Sequence, residues 1–267
     1  MPSVSPSELL LAASALGDKE IVQQLLERED TDPHTVDLRN RSAPMLAAKQ
    51  GHDDIIRMLL PHMATPMETW TDLFGLSMLD VAIRTENLST VRLVTETTDA
   101  LFNARDRHGD TPLVLASKQQ PPSTALIQLL LEGGAEVEVI DDDGRSPLHH
   151  VTASGNNVEA LRLLLDALPA RSADEPPKEL LTPCDCGITV DPEQRSIFWT
   201  WVHPTATDVK PRYGPVIDLM DDRGWTPLKL ALHHGRTELA ELLTSHGASP
   251  VEVTEKSEQN NFPIRFC

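Results

Sequence analysis

The sequence predicts an all-α solenoid, a stack of helix–turn–helix units carried on tight-turn fingers. Three observations predict it. T-P-L motifs recur at Thr111, Ser146 and Thr226, with weaker copies at Ser42 and Ser77 and a degenerate one at Glu8. These starts, at 8, 42, 77, 111, 146 and 226, are spaced by 34, 35, 34, 35 and 80 residues. An aspartate stands five residues before each start from the second onward: Asp37, Asp72, Asp106, Asp141 and Asp221. A turn residue stands two before it: Asn40, Gly75, Gly109, Gly144 and Gly224. A fixed period of this length marks units that cannot bury an apolar face alone and do so by stacking.

Each element follows from its residues. Asp followed three residues later by Gly is a tight-turn arrangement, because the Asp side chain can accept from nearby backbone N–H groups. Asn40 is the one non-glycine at its position, and Asn is the usual substitute where φ must be positive. Thr or Ser at the start is an N-cap, and Pro one place later suits a helix's first turn. Small alanines follow, which lets neighbouring helices approach. A break comes next, at Gly17, Gly51, Gly155 or Gly235. The second helix then carries one apolar face: Ile21, Val22, Leu25 and Leu26 in the first copy, Ile55, Ile56, Leu59 and Leu60 in the second, and Leu239, Leu242 and Leu243 in the last. Departures are local. The third copy has Ser77-Met78 for Thr-Pro and Glu86 at the break, and the fourth has a longer inter-helix turn, Lys118 to Ala125.

These units resemble the ankyrin repeat, a turn, two helices and a loop with T-P-L-H and G-H landmarks. The fullest matches are Ser146-Pro147-Leu148-His149 and Thr226 through Gly247-Ala248, and Gly51-His52 also fits. The resemblance covers roughly residues 8–166 and 216–250, about three quarters of the chain. It implies that His149 is structural and bonds across the turn, and that the first helices line a concave groove. The expected organisation is five repeats in residues 1–166, an insertion at 167–215, a sixth repeat at 216–253 and a tail at 254–267.

The insertion begins proline-rich and charged, as a linker does. It then alternates through Arg195 to His203, which suggests a short strand. Phe198, Trp199, Trp201 and Tyr213 are four of the chain's ten aromatics. They either pack over the neighbouring repeats or form a docking surface. The tail ends in Phe262, Ile264 and Phe266, a set suited to cover the exposed end of a stack.

Composition narrows the function classes. The net charge is -18, from 41 acids against 23 bases. That balance disfavours nucleic acid and anionic membranes and suits a basic or mixed-charge protein partner. No apolar run approaches the ~20 residues a membrane span needs. Leu9 to Gly17 has the look of a short export signal, but Glu8 abuts it and no Lys or Arg precedes it, which argues against one. Three cysteines leave an odd number, so a reducing cytoplasmic or nuclear setting is expected.

Candidate chemistry is sparse. His150 and His233, on successive first helices, are a possible groove pair for a metal or a proton transfer, with the insertion as a lid. No glutamate or cysteine stands at a fixed ligand spacing beside them, and groove or helix-surface histidines are the simpler reading. Cys184, Cys186 and His203 supply only three candidate zinc ligands, where a structural site takes four. No nucleophile elbow, zincin, P-loop or dinucleotide motif is present. The expectation is no cofactor, no metal and no catalytic residue.

What varies on the constant frame is the set of exposed positions. Turn tips read Leu38-Arg39, Leu73-Phe74, Arg107-His108, Asp142-Asp143 and Asp222-Arg223. The residues just before each start read Arg41, Leu76, Asp110, Arg145 and Trp225. Basic and apolar tips lie toward the N-terminal half, acidic ones toward the C-terminal half. Aromatic and Arg residues are the favoured anchors of an interface, here Trp70, Phe74, Arg107, Arg145 and Trp225. Arg39, His108, Asp142, Asp143, His150, Asp222, Arg223 and His233, with Trp199 and Trp201 of the insertion, complete the expected partner-binding set. The leading reading is a non-enzymatic protein-binding adaptor or scaffold that takes a partner protein in the concave groove and at the finger tips, with the aromatic insertion as an added surface. The alternative is an enzyme or metal-dependent protein that uses His150 and His233 under an insertion lid.

Overall fold

The computed structural model describes residues 5–63, 70–97, 101–169 and 216–249. Within them, twelve α-helices form six pairs. The first helices are α1 (Pro6–Leu16), α3 (Ala43–Gln50), α5 (Met78–Arg84), α7 (Pro112–Lys118), α9 (Pro147–Ser154) and α11 (Pro227–His233). Their partners are α2 (Lys19–Leu26), α4 (Asp53–Leu59), α6 (Leu88–Thr97), α8 (Thr124–Glu132), α10 (Val158–Asp166) and α12 (Thr237–Ser245). First helices pack in a row, α1 on α3 through to α9 on α11, and second helices pack in a parallel row behind them. Helices this short are marginal alone in water, so the stack stabilises the helices that compose it.

The start residues behave as caps in part. Ser77, Thr111 and Thr226 each accept from the amide three residues on. Ser42 holds the same place, but its buried hydroxyl has no partner. The first repeat departs from the frame. Its helix starts at Pro6, ahead of the degenerate start at Glu8, because Ser5 and Glu8 form a reciprocal capping box at 3.1 and 3.0 Å. Gly17 ends α1 at φ 84°, and a Cβ there would sit 2.7 Å from the His52 ring of the next repeat. The Gly-His landmark is thus a packing joint between repeats. Glu86 takes φ 57°, the conformation glycine adopts at the other breaks except Gly155, which is extended.

The core is the expected one, with end effects. Val22, Leu25, Ile55, Ile56, Leu59, Leu239 and Leu243 are buried, and each such side chain contributes roughly 2 kcal/mol. Ile21, expected inside, is 36% exposed, whereas Ile55 at the same place one repeat later is at 1%. The difference is a neighbour: α4, which carries Ile55, packs on the preceding second helix α2, and among the described residues no second helix precedes α2.

The sixth repeat stacks directly on the fifth, α11 on α9 and α12 on α10. Residues 216–218 form a single 3-10 turn that leads into its finger. The strand expected at Arg195 to His203, the linker beyond residue 169, the tail and all three cysteines lie outside the described residues.

Candidate functional site

Each finger is built by one carboxylate. Asp37 Oδ1 accepts from the amides of Arg39 and Arg41, Asp72 from Phe74 and Leu76, Asp106 from His108 and Asp110, and Asp221 from Arg223 and Trp225, all at 2.8–3.0 Å. Asp141 accepts from Arg145 at 2.8 Å. Asn40, Gly75, Gly109, Gly144 and Gly224 all have φ between 61° and 77°. The turn therefore points two side chains outward at every tip.

Consecutive tips are joined. The amide of each tip's first residue donates to the carbonyl of the previous tip's second residue: Leu73 to Arg39 at 3.0 Å, Arg107 to Phe74 at 3.1 Å, Asp142 to His108 at 3.2 Å and Asp222 to Asp143 at 3.1 Å. The tips form one continuous row across all five fingers, including the fifth-to-sixth junction. Along it the side chains change from apolar to acidic. Leu38 is fully exposed, and Leu73 and Phe74 are about half exposed. Arg39, Arg107, His108, Asp142, Asp143, Asp222 and Arg223 are also exposed. Partial burial and the neighbouring Asp141 charge push the Asp142 carboxyl above its usual range, against the pull of Arg105.

Trp225 lies half-buried before α11, in a small aromatic and cationic cluster. Its ring meets His233 edge-on at 4.7 Å, and Lys229 Nζ lies 4.9 Å from its centroid, a cation–π distance. His233 in turn meets His234 edge-on at 5.1 Å. Burial and the charges of Arg236 and His233 hold His234 below the usual histidine range. Lys229 was not singled out from sequence. The signal was there: it stands four residues after Trp225 and four before His233, on one helix face.

The structure corrects two expected surface residues and changes the role of a third. His150 is buried at 6% exposure and directs Nε2 to Asp141 Oδ2 at 2.8 Å. It braces its own finger and does not share an open groove with His233. Trp70 is buried at 9% where the second-to-third repeat connection enters the stack. Arg145 is half-buried and spans to Asp221 of the next finger at 3.2 Å. A finger-root ion network was not anticipated. Lys118 contacts Asp110 at 2.5 Å and Asp141 at 3.2 Å. Burial opposes the Asp141 charge, but the His150 bond, the Arg145 amide and Lys118 outweigh it and hold that carboxyl down to about 2. The Lys118–Asp141 contact joins the fourth repeat to the fifth, so no local motif announces it. Among the described residues no cluster of His, Cys, Asp or Glu is arranged to hold a metal.

Models of known families match the chain over most of this frame. The model for ankyrin repeats in three copies matches residues 9–106 and 95–175, and the single ankyrin repeat model matches 223–255. The chain belongs to the ankyrin repeat family. Ankyrin repeats are protein-interaction modules. The nuclear factor NF-kappa-B p105 subunit of Gallus gallus is 32% identical over 152 residues, which is 57% of this chain and 15% of that protein. Ankyrin repeat and SOCS box protein 6 of Mus musculus is 41% identical over 71 residues, 24% of this chain and 17% of that one. The chain thus spans well under a fifth of these relatives. An ankyrin repeat domain from Acinetobacter baumannii AYE shares the fold with a TM-score of 0.65 at 20% identity, over 90% of this chain and 98% of that one. No helix among the described residues is long and apolar enough to cross a membrane.

Proposed function

We propose that this chain is a non-enzymatic adaptor that binds an extended segment of a partner protein along the finger-tip row. One observation carries the reading: five tips joined backbone to backbone, with exposed side chains that grade from Leu38, Arg39, Leu73 and Phe74 to Asp142, Asp143 and Asp222. Such a gradient sets polarity. The partner segment is apolar and acidic where it meets the second to fourth repeats, and basic where it meets the fifth and sixth. Trp225, Lys229 and His233 supply a further contact at the last repeat, and Trp199 and Trp201 of the 167–215 insertion are an additional anchor for the partner. A cytoplasmic or nuclear setting suits the cysteine content and the p105 relative.

The test uses partners recovered by affinity purification with the full chain, identified by mass spectrometry and remeasured in vitro. Phe74→Ala and Arg107→Ala together should reduce binding of the recovered partner while the melting temperature stays unchanged. Deletion of 167–215 should weaken the same partner further. Unchanged affinity in the tip variant would remove the finger row from the interface.

A further inference from the structure

The fourth position of each T-P-L unit from the second repeat to the fifth lies inside the stack. Met45, Asp80, Val114 and His149 occupy it in the second to fifth repeats, and all are nearly inaccessible. His149 shows what a polar residue does there. Its Nδ1 accepts from the Ser146 amide at 3.1 Å, and its Nε2 reaches the Trp225 carbonyl of the next finger at 3.0 Å. That carbonyl also closes its own finger, by accepting from Asp221 at 2.9 Å.

Asp80 performs the first half of this task in the third repeat. Its Oδ2 accepts from the Ser77 amide at 2.8 Å and the Ser77 hydroxyl at 2.7 Å. Its Oδ1 is buried with no hydrogen-bond partner. The carbonyl in register with that of Trp225 belongs to Asp110, and it closes the fourth finger in the same way, by accepting from Asp106 at 3.0 Å. A carboxylate oxygen and a carbonyl oxygen are both acceptors and form no bond unless a proton lies between them. A buried polar atom left without a partner is costly.

We propose that Asp80 works as a neutral carboxylic acid, donating from Oδ1 to the Asp110 carbonyl, so that deprotonation releases one bond in the seam between the third and fourth repeats. The charged surroundings fit. On the α7 side, the side chains of Asp106 and Asp110 present like charge, and Lys118 is engaged by Asp110 and Asp141. On the α3 side the only charged residue of the helix, Lys49, is exposed. Arg92 and Glu96 of α6 and Arg84 of α5 itself are exposed as well. Burial above all, with the charges of Asp106 and Asp110, pushes the carboxyl up to about 7 despite the Ser77 bonds. A carboxyl raised from its ordinary value near 3.8 makes the folded state bind the extra proton. Its contribution to stability is therefore lost as pH rises from about 4 to about 7.

The experiment is thermal unfolding of the full chain and of Asp80→Asn at pH 5 and pH 8, with a carbon-13 carboxyl titration of the wild type, the Asp80 signal being assigned on the wild type itself by through-bond correlation to its backbone. An Asn amide can donate to the Asp110 carbonyl at either pH. The variant should melt near the wild type at pH 5 and above it at pH 8, by roughly 5 °C. The Asp80 carboxyl signal should titrate near neutrality. A melting difference that is the same at both pH values, or a carboxyl that titrates in the ordinary acidic range, overturns the proposal. The NMR titration decides the question even if the variant folds poorly.

Discussion

The seam between the third and fourth repeats and the seam between the fifth and sixth use the same positions with different chemistry. The second joins units whose starts are 80 residues apart, against 34 for the first. It is nonetheless the better bonded. His149 reaches the Trp225 carbonyl, Arg145 reaches Asp221, Asp222 pairs with Asp143, and Arg236 reaches the Thr152 carbonyl. The third-to-fourth seam has the tip bond from Arg107 to Phe74 and a Gln119 bond to the Ile83 carbonyl at 2.6 Å, together with the half-satisfied Asp80. Sequence separation is thus a poor guide to cohesion. Doubling a loop costs only about 0.6 kcal/mol in closure entropy, whereas each satisfied hydrogen bond contributes about 1 kcal/mol.

The comparison can be broken most forcefully at His149. His149→Ala should cost about 3 kcal/mol in chemical unfolding, from lost packing and from the Ser146 amide and Trp225 carbonyl left behind. A loss below about 1 kcal/mol would mean that the sixth repeat does not lean on this bond. The effect should depend on pH. Burial, outweighing the Trp225 bond and Asp221, holds His149 down to about 4. A histidine depressed from 6.5 contributes stability above about pH 6.5 and loses it as pH falls toward 4. The gap between wild type and the variant should therefore narrow between pH 7 and pH 4.

Next in size is Gly133→Ala, which probes the seam between the third and fourth repeats. A Cβ there would lie 2.0 Å from the buried Phe102 ring, so the variant should lose about 2 kcal/mol in the same unfolding assay. Arg145→Ala should lose about 1 kcal/mol. It removes the guanidinium from Asp221 but leaves that carboxylate its two finger amides. The smallest effect on stability belongs to the tips. Phe74→Ala and Arg107→Ala should each stay within about 0.5 kcal/mol of wild type in a thermal melt, while each weakens partner affinity by roughly tenfold.

Much of the fold was legible because its determinants are local and repeated. Asp221 and Gly224 specify a turn whatever surrounds them, and five copies of the spacing leave little room for another register. The site was legible only as a set of exposed places. Arg39, Phe74, Arg107, Asp142 and Asp222 could be placed at tips, since a tight turn points its central side chains outward. His150 and Trp70 could not be placed correctly. One position on a helix decides whether a histidine faces a groove or its own finger, and the turn motif that contains Asp141 gives no sign that its second carboxylate oxygen captures His150.

The sequence by itself determined the unit, its turn, its two helices and the order of side chains along the tips, because hydrogen bonding within a turn and apolar periodicity within a helix act over a few residues. Only the tertiary structure decided how the units meet. Whether Asp80 finds a donor or an acceptor, whether Lys118 serves one carboxylate or two, and whether the sixth repeat closes on the fifth all depend on groups from another repeat. Those groups come together only once the stack has formed, where burial makes the presence or absence of a single proton decisive.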